Sequence, residues 1–124
     1  MVLNHREFSG MRESKGKEIF LWLIRLRQRY RVTGASMWPL LSAGDEVLVD
    51  PQAYRQQSPR IGDIVIARHP TQAGLQIIKR IKAVREDGYY QLQGDNPDPI
   101  QNSPSRVPAK LILGRVTSRF APAS

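Results

Sequence analysis

The sequence predicts a mainly β domain with a small barrel-type fold, preceded by one amphipathic helix. Three observations predict it. Short runs rich in β-branched and aromatic residues recur from residue 46 onward. Turn signals separate those runs. One apolar stripe with helical spacing lies ahead of them, in Lys17–Tyr30.

Taken in chain order, Met1 to Gly16 is polar, contains two glycines and is expected to be a mobile tail. Residues 17–31 are expected to be the helix. Ile19, Trp22, Leu23, Leu26 and Tyr30 share a stripe, widened by Phe20 and Ile24, with Glu18, Arg25 and Arg29 on the other side. Such a helix can pack on the domain behind it or lie in a membrane interface, where Trp22 and the arginines would suit it. The apolar run Ile19–Ile24 is six residues long and Arg25 interrupts it, which argues against a cleaved secretory signal. Residues 32–120 are expected to form the main domain. Its strands are read at Glu46–Val49, Asp63–Ala67, Leu75–Val84, Tyr89–Gln93 and Leu111–Ser118. Turns follow at Gly44-Asp45, Ser58-Pro59, Gly62-Asp63, His69-Pro70, Asp87-Gly88 and Gly94-Asp95-Asn96-Pro97. Residues 95–110, with four prolines, read as one long loop.

Composition then narrows the chemistry. The 124 residues contain no cysteine and two histidines, His5 and His69. Disulfides, thiolate metal sites and cysteine nucleophiles are excluded, and no metal or cofactor is expected. No apolar stretch approaches the roughly 18 residues that cross a bilayer. The net charge of +8 is uneven: residues 1–35 hold eight bases against three acids, and the remainder holds 11 against eight. Contact with an anionic membrane is therefore expected, if anywhere, at the N-terminal segment, as a peripheral contact through 17–30. Nucleic-acid binding is not expected, because Tyr89 and Tyr90 are the only strand aromatics available for stacking beside basic residues.

With so little histidine, a serine activated by a neutral lysine is the hydrolytic pair that composition favours. Thr33-Gly34-Ala35-Ser36-Met37-Trp38-Pro39 offers a serine bracketed by a permissive glycine and a fixed proline. The same residues would also make an ordinary turn before a strand. In Leu75–Val84, alternation puts Ile77, Lys79, Ile81 and Ala83 on one face. Lys79 is the one charge on that face. Desolvation there would lower its pKa, unless the side chain snorkels to the sheet edge.

These segments resemble a known family. Gly34-Ala35-Ser36-Met37-Trp38-Pro39-Leu40-Leu41, followed by Gly44-Asp45 and Val47-Leu48-Val49, is similar to the nucleophile box of type I signal peptidases, the S26 serine peptidases. Gly62-Asp63-Ile64-Val65 resembles their next box, Lys79-Arg80-Ile81 their lysine box, and Gly94-Asp95-Asn96 with Ser103, Ser105 and Arg106 their last. The boxes occur in family order across about residues 32–118.

The resemblance implies a fold like that of signal peptidases and SOS repressors, and an endopeptidase with a Ser/Lys dyad. Ser36 would be the nucleophile, Lys79 the general base, and the Ser36 backbone N–H part of the oxyanion hole. Ser103, or else Ser105, would orient the lysine. Gly34, Met37, Pro39, Asp95, Asn96 and Arg106 would be structural residues near the site. The chain departs from the family pattern in places. Gly34 stands where many members have a serine that assists the oxyanion, Leu40 where a threonine is common, and Pro104 where an aspartate is common. A compact form without a membrane anchor is most similar to the nickel-type superoxide dismutase maturation proteases. That implies a cytoplasmic enzyme whose partner is a precursor protein, the nickel superoxide dismutase precursor, from which it removes an N-terminal leader. A general leader peptidase held peripherally at the membrane, and a self-cleaving repressor-like peptidase, are the alternatives.

Overall fold

The structure is a computed structural model that describes residues 2–5 and 26–120. Among the described residues eight antiparallel strands form one sheet: β1 Val2–His5, β2 Gln28–Val32, β3 Glu46–Asp50, β4 Ile64–Arg68, β5 Gln76–Val84, β6 Tyr89–Gln93, β7 Ser105–Pro108 and β8 Ile112–Phe120. A 3₁₀ turn, Ala109–Leu111, leads into β8. The strand order is β1-β2-β3-β8-β4-β5-β6-β7. The last strand therefore lies in the middle, joining the β1–β3 meander to the β4–β7 meander. The sheet curls enough to bring β1 against β5.

Both faces of the central strands carry apolar side chains, because alternate residues of β4 and β5 are apolar in both phases. On one face Ile66 and Ile78 pack with Tyr30, Val32, Val47 and Val49, and with Met37 and Leu41 from the loop after β2. On the other, Val65, Ala67, Ile77 and Ile81 pack with Tyr90, Leu92 and Val107. Burial of this kind contributes about 25 cal/mol per Å² of apolar surface removed from water. Gly114 lets β8 approach β3: a Cβ there would stand 2.6 Å from the Asp50 carbonyl oxygen and 2.7 Å from Val49 Cγ1.

The structure bears out the mainly β fold, and it corrects the sequence in three places. Residues 28–32 are strand, not the end of a helix: Tyr30 and Val32 alternate inward while Arg31 stays out. Arg29 and Arg31 both pair with buried Glu46 on the neighbouring strand. A strand with alternate apolar residues and a cross-strand ion pair outweighs the helical stripe that Tyr30 shares with residues further back. Residues 2–5 are strand rather than tail, paired with β2, and Val2 is buried in the core. The rest of the expected tail and residues 17–25 of the expected helix lie outside the described residues. The long loop 95–110 is also shorter than expected. Ser105–Pro108 pairs with β6 as an edge strand, where a proline needs no ladder donor. Among the described residues no helix is long and apolar enough to cross a membrane.

Candidate active site

The loop between β2 and β3 holds Ser36 in a tight turn. Trp38 N–H donates to the Ala35 carbonyl at 3.2 Å and Leu41 N–H to the Met37 carbonyl at 2.9 Å. Met37, wholly buried, is the plug that fixes this turn to the core. The Trp38–Pro39 peptide bond is cis, and both residues are exposed. Ser36 itself is half-buried.

The segment after β6 clamps the same turn from the other side. Asn96 N–H donates to the Ser36 carbonyl at 2.9 Å, and the Asn96 side-chain amide donates to the Ala35 carbonyl at 2.7 Å. Asn96 Oδ1 accepts from Asp98 N–H at 2.9 Å, so the buried amide is used at both ends. Gly94 allows this approach. A Cβ at 94 would lie 2.2 Å from the Ser36 carbonyl oxygen and 3.0 Å from Ser36 Cβ. Asp95 is held by a two-pronged pair with Arg80, at 2.9 Å from Nε and 2.7 Å from Nη2. That pair keeps the Asp95 carboxyl below its ordinary range. Arg80 also donates to the Gly62 carbonyl at 2.8 Å, tying the start of β4 to the same assembly.

Lys79 lies in β5, opposite Val65. It is 6 % exposed, and burial pushes its ammonium below its ordinary pKa. Its Nζ donates to the Ser103 carbonyl oxygen at 2.7 Å. Ser36 Oγ donates to the carbonyl of Ile78, the residue beside Lys79, at 3.4 Å. Ser36 and Lys79 are thus carried to adjacent points on one strand, each resting on a backbone carbonyl and neither bonded to the other. The hydroxyl contact is long for an O–H···O bond, so little holds the hydroxyl in that pose.

Other sequence candidates fall as follows. Gly34, half-buried, precedes the turn. Ser103 reaches Lys79 through its backbone oxygen, not its hydroxyl. Ser105 opens β7 opposite Leu92 and makes no bond to the lysine. Arg106 is not near the serine turn: it pairs with Asp87 and stacks over Tyr89, 4.4 Å from the ring centroid. It therefore braces the hairpin of β5 and β6, a role its sequence neighbourhood did not disclose. The Ile78 and Ser103 carbonyls were invisible to sequence reasoning because backbone acceptors leave no residue signature. Among the described residues no group of three His, Asp or Glu side chains is placed to hold a metal ion.

Residues 18–88, more than half of the chain, match the family model described as signal peptidase, peptidase S26. The chain therefore belongs to the S26 signal peptidase family. A segment of 58 residues, 47% of the chain, is 36% identical to Signal peptidase I of Aquifex aeolicus (strain VF5), and covers 23% of that protein. The chain thus matches less than a quarter of that relative's length. The matched family region holds both Ser36 and Lys79, and stops before the clamp at 94–96.

Proposed function

We propose that the chain is a serine endopeptidase that removes an N-terminal leader from a precursor protein, with Ser36 as nucleophile and Lys79 as general base. One observation carries this: the serine turn lies across β5 so that the Ser36 hydroxyl rests on the carbonyl next to a buried, deprotonation-prone lysine. A neutral amine has two N–H donors and one lone pair. One N–H can stay on the Ser103 carbonyl while the lone pair turns to Ser36, so Ser103 positions the base through its backbone.

In the reaction the Ser36 hydroxyl leaves the Ile78 carbonyl and its oxygen bonds to the scissile carbonyl carbon, while its proton passes to Lys79. The oxyanion forms beside the Ser36 backbone N–H, which none of the turn's backbone hydrogen bonds uses among the described residues. As the C–N bond breaks, the Lys79 ammonium returns the proton to the leaving amine. Water then attacks the acyl-serine, giving a proton to Lys79, which passes it to the Ser36 oxygen as the acyl C–O bond breaks and the new acid is released. Because Gly34 has no hydroxyl, any second oxyanion donor comes from backbone or another group.

The finer substrate we propose is the nickel superoxide dismutase precursor, on the resemblance of the motifs alone. Ser36→Ala and Lys79→Ala should each abolish cleavage of a leader-bearing precursor with an unchanged circular dichroism spectrum. Full activity in either variant overturns the dyad. Sequencing of new N-termini tests the substrate: cuts on secreted leaders with none on a nickel dismutase precursor would remove that assignment and leave the peptidase standing.

A further inference from the structure

We infer that β1 is an autoinhibitory strand: Val2–His5 fills the track along which an extended peptide would reach Ser36 and Lys79. This control on access presupposes the dyad proposed above. Two strands border the track. β2 runs directly into the Ser36 turn, and β5 carries Lys79.

β5 is paired unequally on its two sides. β4 pairs with it from Gln76 to Arg80, whereas β6 pairs with it only from Arg80 to Val84. Among the described residues Gln76–Lys79 therefore form a half-edge with no ladder partner on the β6 side, and that half-edge ends at Lys79. Backbone groups of a strand point alternately to its two neighbours. Ile81 N–H donates to the Asp63 carbonyl at 2.8 Å and the Ile81 carbonyl accepts from Gly62 N–H at 2.9 Å, both on the β4 side. By alternation Ile78 and Gln76 turn theirs to the open side. The Ile78 carbonyl is the one that Ser36 Oγ reaches. A peptide laid in extended form along this half-edge gains main-chain hydrogen bonds and is led to the serine.

β1 stands in this track. It pairs antiparallel with β2, from Val2 opposite Val32 to His5 opposite Arg29. The curl of the sheet brings it within 8 Å of β5, Cα to Cα, without a hydrogen-bonded ladder between them. Two strands that flank a third lie about 9.5 Å apart, so where β1 and β5 approach, no peptide strand fits between them. Val2, 6 % exposed, shares one apolar cluster with Met37 and Ile78, the residues next to Ser36 and Lys79. β1 is thus seated beside both halves of the proposed dyad. Its hold is slight: one ladder, four residues long, at the end of the sheet. A short edge strand bound on one side opens at a fraction of the global unfolding free energy. A peptide that takes the same track displaces it.

A cross-link in the full chain tests this. Val32 N–H donates to the Asp45 carbonyl and the Val32 carbonyl accepts from Gly44 N–H, both on the β3 side. Val2 and Val32 are therefore a non-hydrogen-bonded pair, with Cα atoms about 4.5 Å apart, inside the disulfide range of about 4.4–6.8 Å. The chain has no cysteine of its own. Val2→Cys combined with Val32→Cys thus introduces one bridge that locks β1 down, and reductant releases it. The probe is a labelled peptide of residues 1–8, followed by fluorescence anisotropy. The reduced form should bind it at least about tenfold more tightly than the oxidised form, and cleavage of a leader-bearing precursor should follow the same order. Leu3→Pro removes a backbone donor opposite Arg31; it should lower KM for the precursor at unchanged kcat and bind the peptide more tightly than the unaltered chain does. If Leu3→Pro fails to fold, the comparison of oxidised and reduced forms decides. Equal peptide binding in those two forms overturns the autoinhibitory strand, whatever the cleavage rate. Redox-dependent peptide binding with no cleavage in any form upholds the occupied track and tells against the dyad instead, so the two failures are distinguishable.

Discussion

Gly94→Ala isolates the clamp on the serine turn with a single methyl group. The φ of Gly94 is not in the left-handed region, so alanine fits its backbone and the effect is purely one of space. The new Cβ would stand 2.2 Å from the Ser36 carbonyl oxygen, where real Cβ contacts do not fall below 3.0 Å, so the two must separate by about 1 Å. The obstructing atom is backbone, fixed by the Asn96 amide and by the Met37 plug, and has no rotamer in which to escape. Two costs follow. Overpacking should destabilise the fold by about 1–3 kcal/mol, a Tm fall on the order of 4–12 °C for a chain of this size. A nucleophile displaced by about 1 Å should lose about 10²-fold in kcat. The assay is steady-state cleavage of a leader-bearing precursor beside a thermal melt of the same preparation. A variant that melts and cleaves within twofold of the unaltered chain would show that the 94–96 segment does not press on Ser36, and would refute the clamp.

Five further outcomes can be checked. Asn96→Asp keeps the shape but turns an oxygen toward the Ala35 carbonyl that the amide now serves; it should cost about 1–3 kcal/mol at neutral pH and recover in part when acid protonates the carboxyl. Gly114→Ala puts a Cβ 2.6 Å from the Asp50 carbonyl and should lower stability by about 1–3 kcal/mol, seen as a smaller urea midpoint with an unchanged slope. Because Lys79 is held below the ordinary lysine pKa of 10.5, kcat/KM should rise about tenfold per pH unit and level off below that value. The native state then binds fewer protons than the unfolded chain between the two pKa values, so Lys79 should make stability rise with pH across that window, a slope that Lys79→Met removes. Asp95 is lowered by the Arg80 pair, and Glu46 is lowered because Arg29 and Arg31 outweigh the effect of its burial. Both contributions are full above the unfolded carboxyl pKa and fade as pH falls through the lower folded values, so Asp95→Asn should flatten part of the acid limb of a melting curve.

The strands of the second half were readable because their apolar residues are dense and β-branched. Tyr89–Gln93 was placed to the residue, and Gln76–Val84 to within one. Lys79 was readable for the same reason, since alternation leaves a lone amine among Ile77 and Ile81. Gln28–Val32 was not, because its partners on β3 are 15 to 21 residues away in sequence: nothing local shows that Arg29 and Arg31 will close on Glu46. Ser105–Pro108 was hidden by its proline, which only an edge position tolerates. At the site, sequence could name Ser103 but not which of its atoms would face the lysine. That depends on the path of the 97–104 loop, which Asn102 and Asp98 hold through bonds to Asn96 and to one another's backbone.

The position of β8 would give the proposed dyad a form of latency. The Ser36 turn belongs to the meander of β1 to β3 and Lys79 to the meander of β4 to β7. In the hydrogen-bonded ladder the two meet only through β8, the strand made after both. Each meander can zip locally and early, but the pairings of β8 with β3 and β4 span long stretches of chain and come late. The pairing of β8 is thus what closes the ladder between the half-sheet of Ser36 and that of Lys79. On the proposed dyad, a chain in which β8 had not yet paired would have its two catalytic side chains unassembled.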